Sequence, residues 1–183
     1  PGTTWNYRGG STQLLAEIIR TTSGQDLIQF SRENLLQPLQ IYSSEWIKLV
    51  ASKDPAAASG LRLTSRSLLK FGILYCNGGK FNGQQILEDN WVSASITSQV
   101  ERPSLNNFKL KDGGYGYQFW TCDYVVNNHL LKIAEAKGNG GQSIFICQEL
   151  NIVVVITAGN YGEVKYNDIP HRILNDYILQ AIL

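Results

Sequence analysis

The sequence predicts an α+β fold, because a helical first part is followed by a run of short strands and a closing helix. Over residues 1–110, apolar residues recur at the spacing of three to four that is typical of amphipathic helices. Over residues 111–183, short runs rich in β-branched and aromatic residues alternate with turn sequences. Helices and strands that are segregated in this way favour an antiparallel sheet covered by helices.

The first helix is predicted from an apolar face and from residues that suit its two ends. Ser11 or Thr12 can serve as the N-cap, and Gly24 follows the end of the pattern. The predicted apolar face is formed by Leu14, Leu15, Ile18 and Ile19.

Three further helices are predicted before residue 100. Asp26 begins the second, which Pro38 ends, and Thr64 caps the third, which ends at Asn77-Gly78-Gly79. The fourth is predicted over residues 88–98.

Four strands and a last helix are predicted after the turn-like sequence Lys111-Asp112-Gly113-Gly114. The strands lie at 115–120, 129–136, 142–147 and 152–157. The last strand is an unbroken apolar run, typical of a strand buried on both faces, and the short link at 149–151 predicts an antiparallel hairpin. The helix begins near Asp168, and its predicted apolar side is formed by Ile173, Leu174, Tyr177, Ile178 and Ile182.

Composition excludes several classes of protein. Sixteen basic residues face fifteen acidic ones, which argues against a nucleic-acid partner. No apolar run approaches the roughly 20 residues that a membrane-spanning helix needs. Three widely spaced cysteines and two histidines indicate neither a disulfide framework nor a metal site, and we expect no cofactor.

The 183 residues contain no methionine and begin at Pro1. A translated protein starts with methionine, so we expect a processed or truncated piece, or a sequence from which methionines are missing. No signal peptide is visible, which leaves the compartment open.

Three local motifs have both a catalytic and a structural interpretation. Ser67-Leu68-Leu69-Lys70 matches SxxK, in which a lysine one helical turn away accepts the serine proton, but such spacing is common in core helices. Tyr7 is either structural or a catalytic phenol, which acts as a base only beside a cation that lowers its pKa. Gly138-Asn139-Gly140-Gly141-Gln142 either offers backbone N–H groups to an oxyanion or is a plain turn. GxSxG is absent, which disfavours an α/β-hydrolase.

The order of several segments along the chain is more specific than any one of them. They are Pro1-Gly2-Thr3-Thr4-Trp5-Asn6-Tyr7, Leu36-Gln37-Pro38-Leu39, Gly60-Leu61-Arg62-Leu63-Thr64, Tyr115-Gly116-Tyr117-Gln118-Phe119-Trp120, Gly138-Asn139-Gly140-Gly141-Gln142 and Val153-Val154-Val155-Ile156-Thr157-Ala158-Gly159-Asn160. As a set they resemble the C-terminal portion of the class C β-lactamase-related serine hydrolases, which include penicillin-binding proteins and esterases. The resemblance implies a β-lactamase/transpeptidase-like fold, with residues 1–183 as part of one domain whose N-terminal part is missing.

The resemblance implies roles for residues near Tyr7. The family's SxxK precedes its tyrosine motif, so it would lie outside this chain and Ser67-Leu68-Leu69-Lys70 would be a decoy. Tyr7 would be the general base or proton relay. Gly9 stands where β-lactamases place an asparagine that contacts the substrate amide.

The resemblance also implies roles for residues of the strand region. Gly138-Asn139-Gly140 occupies the place of the family's Lys-Thr-Gly, and without that lysine we expect an esterase or amidase rather than an efficient β-lactamase. Gly141 would supply an oxyanion N–H, and Asn139, Gly140 and Gln142 would contact the substrate. Tyr117 and Trp120 would wall a pocket, unless they simply face the core. His129 and His171 match no catalytic position and are expected at the surface or at caps.

Two functional hypotheses remain. The first is part of a serine hydrolase that forms an acyl-enzyme from a small acyl substrate and is inactive without its serine. The second is a non-catalytic module that binds peptides or cell wall. In either case a chain without the N-terminal part should expose a sheet edge, and we expect it to bind the missing half or to self-associate. The resemblance suggests a periplasmic or secreted bacterial protein.

Overall fold

The computed structural model describes residues 5–101, 113–163, 166 and 168–183, and these form two compact units. The first unit ends at Ser67 and the second begins at Leu68. Helices and an antiparallel sheet together confirm the predicted α+β class. Pro1-Gly2-Thr3-Thr4 and the predicted turn at Lys111-Asp112 lie outside the described residues.

The first unit contains two helices and a small two-stranded sheet. Its elements are α1 (Gly9–Ser23), α2 (Leu27–Ser31) with a π-helical continuation (Arg32–Leu36), β1 (Glu45–Trp46) and β2 (Leu61–Arg62). The two strands pair antiparallel.

Several predicted helix ends are confirmed by hydrogen bonds and backbone angles. The Asp26 carboxylate accepts from the Gln29 N–H at 2.8 Å, and Gly24 has a φ of +73° after α1. The Thr64 hydroxyl accepts from the Ser67 N–H at 3.2 Å, which caps the next helix.

The predicted start of α1 is wrong. The helix begins at Gly9, and the extended Arg8 is its N-cap, with no side-chain cap bond. The Arg8 carbonyl already accepts from the Ser11 N–H at 3.2 Å, so Ser11 and Thr12 lie inside the first turn.

The predicted apolar face of α1 is not buried. Leu14 is 66% exposed, Leu15 and Ile18 are also exposed, and Ala16 is the buried residue of this helix. The apolar periodicity thus predicts the helix correctly but not the packing of its face.

The second unit is built around a six-stranded sheet. Its strands are β5 (Val100–Glu101), β6 (Gly113–Tyr115), β7 (Trp120–Val126), β8 (His129–Gly138), β9 (Gln142–Cys147) and β10 (Ile152–Ile156). Each strand pairs antiparallel with the next in the chain, which gives a meander. A hairpin of β3 (Lys80–Phe81) and β4 (Gln84–Gln85) lies apart from the sheet.

The strand predicted at 115–120 is wrong in its extent. Residues 116–119 form a turn, and Tyr115 at the end of β6 pairs with Trp120 at the start of β7. The strand does not continue because the chain reverses: the Gly116 N–H donates to the Phe119 carbonyl at 2.8 Å, and Gln118 has a left-handed φ of +67°.

The strand β7 is missing from the prediction, although its turn is visible in the sequence. Asn127 and Asn128 have φ angles of +47° and +66° and join β7 to β8 in a two-residue loop, called the asparagine hairpin below. Asparagine tolerates this left-handed conformation, so Asn-Asn between two apolar runs indicates a hairpin.

The strand β10 is not buried on both faces as predicted. It is the end strand of the sheet among the described residues, and all five of its residues are half-buried. Val153 and Val155 pack into one core and Val154 and Ile156 into the other, which explains the continuous apolar run. Its predicted antiparallel pairing with β9 is confirmed.

Helices cover both faces of the sheet. On one face lie α3 (Ser65–Cys76) and α4 (Asp89–Ile96), which pack over a cluster that includes Phe119 and Ile144. A Cβ on Gly72 would be 2.4 Å from the Val153 side chain, so the glycine lets α3 approach the sheet closely.

The opposite face is covered by the last helix. It consists of α5 (Ile169–Arg172), a π-helical stretch (Ile173–Leu179) and α6 (Gln180–Ile182), together called the C-terminal helix. Its predicted start is confirmed, with Asp168 as N-cap. Leu174 and Leu179 are buried, whereas Tyr177 is 69% exposed and Ile182 is exposed too, contrary to prediction. The two buried leucines are five residues apart, which matches the wider turn of a π-helix. A prediction based on the α-helical period of 3.6 residues therefore placed Tyr177 on the buried side.

Candidate functional site

The predicted oxyanion residues lie in the turn between β8 and β9. Gly138 pairs with Gln142, and Asn139, Gly140 and Gly141 form the loop, so these five residues are called the glycine hairpin. Gly140 and Gly141 have φ angles of +86° and +89°, a region that side-chain-bearing residues rarely adopt. Both glycines are buried, whereas Asn139 is exposed.

The glycine hairpin is braced by the segment that follows β10. The Gln142 amide group both donates to the Ala158 carbonyl and accepts from the Ala158 N–H. The Asn160 N–H donates to the Gly140 carbonyl at 3.1 Å. A Cβ on Gly140 would lie 2.8 Å from the Tyr161 ring, so no larger residue fits there.

The bracing uses the side-chain amide of Gln142 but not the backbone N–H of Gly141. None of the bracing contacts just described uses the Gly141 N–H. Gln142 uses its side-chain amide on Ala158, and its predicted substrate contact stays a prediction.

Tyr117 and Trp120 lie at the same end of the sheet as the glycine hairpin. Trp120 is opposite Glu135, three residues before Gly138, and Tyr117 lies in the turn that precedes it. Tyr117 stacks on Trp91 with ring centroids 5.3 Å apart. Since both of these rings are exposed, the end of the sheet offers aromatic surface.

Tyr7 and Gly9 lie in the first unit. Tyr7 is 56% exposed and precedes α1, and Gly9 is the first residue of that helix. Ser67 lies in the first turn of α3. Its hydroxyl is 3.0 Å from the hydroxyl of Thr64, the residue that caps this helix.

A buried polar cluster lies between the sheet and the C-terminal helix. The Ser143 hydroxyl donates to Glu135 Oε1 at 2.6 Å, and His171 Nε2 lies 3.3 Å from Glu135 Oε2. His171 Nδ1 is 2.6 Å from the Tyr124 hydroxyl, and the Lys137 ammonium is 3.3 Å from Nε2. Glu135 is 1% exposed.

The cluster keeps Glu135 ionised. Burial by itself would raise the pKa of this carboxyl, but the hydrogen bond from His171, the charges of His171 and Lys137, and the Ser143 hydroxyl together hold it below the usual value. Burial raises the pKa of Tyr124, so its phenol stays protonated.

The sequence prediction for His171 is wrong, and Glu135 was missed. His171 is 6% exposed, because it turns from the start of the C-terminal helix toward β8. His129 is exposed, as predicted. A signal for the cluster exists in the sequence, since Glu135 is a lone acid between two alanines in an apolar strand.

Among the described residues, no three His, Cys, Asp or Glu side chains come together in a group that could hold a metal ion. No helix in the described ranges has the length and apolar character needed to cross a membrane. Cys122 and Cys147 are buried, and burial raises the pKa of Cys147, so this thiol is protonated at neutral pH.

Comparisons with solved structures support the fold. A Bacillus anthracis protein described provisionally as a 6-aminohexanoate-dimer hydrolase is 27% identical, with a TM-score of 0.71 over 94% of this chain and 45% of its own. An octameric penicillin-binding protein homologue from Pyrococcus abyssi is 19% identical, with a TM-score of 0.70 over 95% of this chain and 43% of its own. The fold is therefore that of β-lactamase and penicillin-binding-protein relatives.

The sequence comparisons agree. An uncharacterised protein of Alkalihalophilus pseudofirmus is 22% identical over 88% of this chain and 54% of its own length. The chain thus spans about half the length of the proteins it matches. The sequence model of the Beta-lactamase family matches residues 1–176. The chain belongs to the Beta-lactamase family, whose members among its structural neighbours include proteins described as hydrolases.

Proposed function

We propose that this chain is the part of a serine hydrolase that supplies the oxyanion hairpin and a tyrosine to the active site. The observation that carries the proposal is the glycine hairpin, in which two buried glycines with left-handed backbone are held by Ala158, Asn160 and Tyr161. A rigid turn with a bare backbone is what an N–H donor to a developing oxyanion requires.

In this proposal the reaction passes through an acyl-enzyme. A serine in an SxxK motif outside these 183 residues attacks the acyl carbon, and Tyr7 accepts its proton or relays it to the alcohol or amine that departs as the acyl-enzyme forms. The Gly141 N–H binds the oxyanion, and water then releases the acid. The 183-residue chain, which lacks the nucleophile, is inactive alone.

The preferred substrates are esters and amides whose binding does not depend on a cation at the position of Gly138. Gly138 brings no cation to the hairpin, and Lys137, the neighbouring lysine, places its ammonium 3.3 Å from His171 Nε2 instead. The neighbour whose name specifies a 6-aminohexanoate dimer as substrate supports an amide bond as one candidate.

The test is covalent labelling with a fluorophosphonate serine probe, read by intact-mass spectrometry. The folded 183-residue chain should gain no adduct, and the longer protein should gain one on a serine upstream of Pro1. An adduct on the short chain that Ser67→Ala removes would overturn the proposal. A folded longer protein that is never labelled would favour the non-catalytic binding module.

We also propose that the isolated chain binds its missing half or another copy of itself. Two features support this: the half-buried edge strand β10 and the exposed apolar residues Leu14 and Ile18 of α1. Light scattering of the 183-residue chain should show an oligomer. When the N-terminal half is added, the oligomer should dissociate and a complex of the two halves should form. A monodisperse monomer that does not bind that half would contradict this.

A further inference from the structure

We infer that Glu135 and His171 are positioning residues that hold the glycine hairpin against the start of the C-terminal helix and thereby fix the Gly141 N–H. The inference rests on the proposed function of Gly141. It concerns side chains of β8 and of the C-terminal helix, which are different from the residues that brace the hairpin through Ala158 and Asn160.

The cluster includes side chains from both strands that flank the glycine hairpin, β8 and β9. Glu135 lies on β8 three residues before Gly138, and Ser143 lies on β9 directly after Gln142. The 2.6 Å hydrogen bond from the Ser143 hydroxyl to the Glu135 carboxylate therefore ties the two strands together at the base of the loop.

His171 connects this carboxylate to the helix. Its ring lies edge-on to Phe145 with centroids 5.3 Å apart, and its Nδ1 lies 2.6 Å from the Tyr124 hydroxyl. The ring thus lies between the Glu135 carboxylate, 3.3 Å from Nε2, and the Tyr124 phenol beside Nδ1. Pro170, the preceding residue, has its Cγ 3.9 Å from where a Cβ on Gly141 would be, so the helix start lies against this glycine.

Stability alone does not account for such a cluster. Removing two charged or polar groups from water costs about as much as their mutual attraction returns, and apolar side chains of similar volume would serve equally well in a core. What a buried hydrogen-bonded cluster adds is a single arrangement of the elements that it joins. Here those elements are β8, β9 and the helix start, which surround the proposed oxyanion donor.

The first test is amide hydrogen exchange on the 183-residue chain, with Glu135→Gln and His171→Phe as variants. The reporter is the Asn160 N–H, which donates to the Gly140 carbonyl and loses protection when the hairpin opens. We expect exchange at Asn160 to accelerate at least about tenfold more than exchange near Cys147, at the far end of β9, where any acceleration reflects the loss of global stability. His129→Phe is the matched control, since this exposed histidine lies at the other end of β8, and it should change neither.

An equal acceleration at both ends of β9 would mean that the pair contributes only to global stability and would overturn the inference. No acceleration at Asn160 would overturn it as well. If His171→Phe does not fold, Glu135→Gln still decides the question, because it keeps the size of the side chain and an acceptor for Ser143.

The second test uses the longer protein and a chromogenic ester. Glu135→Gln should lower kcat about tenfold or more and leave KM within about twofold, because a displaced N–H weakens contacts made only in the transition state. An unchanged kcat would overturn the inference. A longer wild-type protein without hydrolase activity would instead refute the proposed function, and the exchange experiment would still decide whether the pair positions the hairpin.

Discussion

The asparagine hairpin and the glycine hairpin flank the same strand, β8, and both depend on left-handed backbone. In the first, Asn127 and Asn128 are exposed and serve to reverse the chain. In the second, Gly140 and Gly141 are buried, and residues after β10 and at the start of the C-terminal helix pack around them. Turn chemistry alone therefore does not distinguish a connection from a candidate site, whereas the residues that surround the turn do.

The largest expected effect comes from removing the carboxylate behind the glycine hairpin. Glu135→Ala leaves Ser143 and His171 without their buried partner and should lower the free energy of unfolding by about 3–5 kcal/mol. Urea unfolding of the 183-residue chain measures this loss. His129→Ala, beside the asparagine hairpin, is the matched control and should change stability by less than about 0.5 kcal/mol. Equal losses would remove the distinction between the two hairpins.

The next effect comes from adding one methyl group to the glycine hairpin. Gly140→Ala forces an alanine into left-handed backbone and places its Cβ 2.8 Å from the Tyr161 ring, so we expect a loss of about 2–3 kcal/mol. Asn127→Gly, which only relaxes the asparagine hairpin, should lie within about 0.5 kcal/mol of the wild type. Thermal unfolding followed by circular dichroism compares them, and a neutral Gly140→Ala would show that the hairpin is not tightly packed.

A smaller effect is expected from the bracing side chain. Gln142→Ala removes two hydrogen bonds to the Ala158 backbone and should cost about 1–2 kcal/mol. Gln99→Ala, which removes one bond from an exposed side chain to the Ala94 carbonyl, is the control and should cost less. If Gln142→Ala is neutral in urea unfolding but impairs ester hydrolysis by the longer protein, the predicted substrate contact of Gln142 would be supported instead.

The sequence predicted the parts of this molecule that depend on local chemistry. The cap at Asp26, the end of α1 at Gly24 and the β9–β10 hairpin all follow from residues adjacent in the chain. It failed where distant residues decide the outcome. The burial of His171 depends on Glu135, 36 positions earlier by residue number, and the winding of the C-terminal helix places Leu179 rather than Tyr177 in the core.

The candidate site divides in the same way. A turn at the glycine hairpin was predicted because glycines in a row are visible in the sequence, and the structure adds that Gly140 and Gly141 have left-handed backbone. The bracing by Ala158, Asn160 and Tyr161 was missed, since contacts through backbone groups and ring faces leave no recognisable pattern of residue types.

The smallest expected effect is that the contribution of Glu135, behind the glycine hairpin, to the free energy of unfolding depends on pH. Because the pKa of Glu135 is lower in the folded chain than its unfolded value of about 4.3, the ionised carboxylate stabilises the fold above that pH. This contribution is lost as the pH falls through the folded pKa. Glu135→Gln should therefore be less stable than the wild type at pH 7, and the difference should shrink as the pH falls below about 4.3. Urea unfolding from pH 7 to pH 3 measures both curves. A difference that stays constant over this range would mean that the charge of Glu135 does not stabilise the cluster. The two hairpins would then differ only in the hydrogen bonds and packing around them.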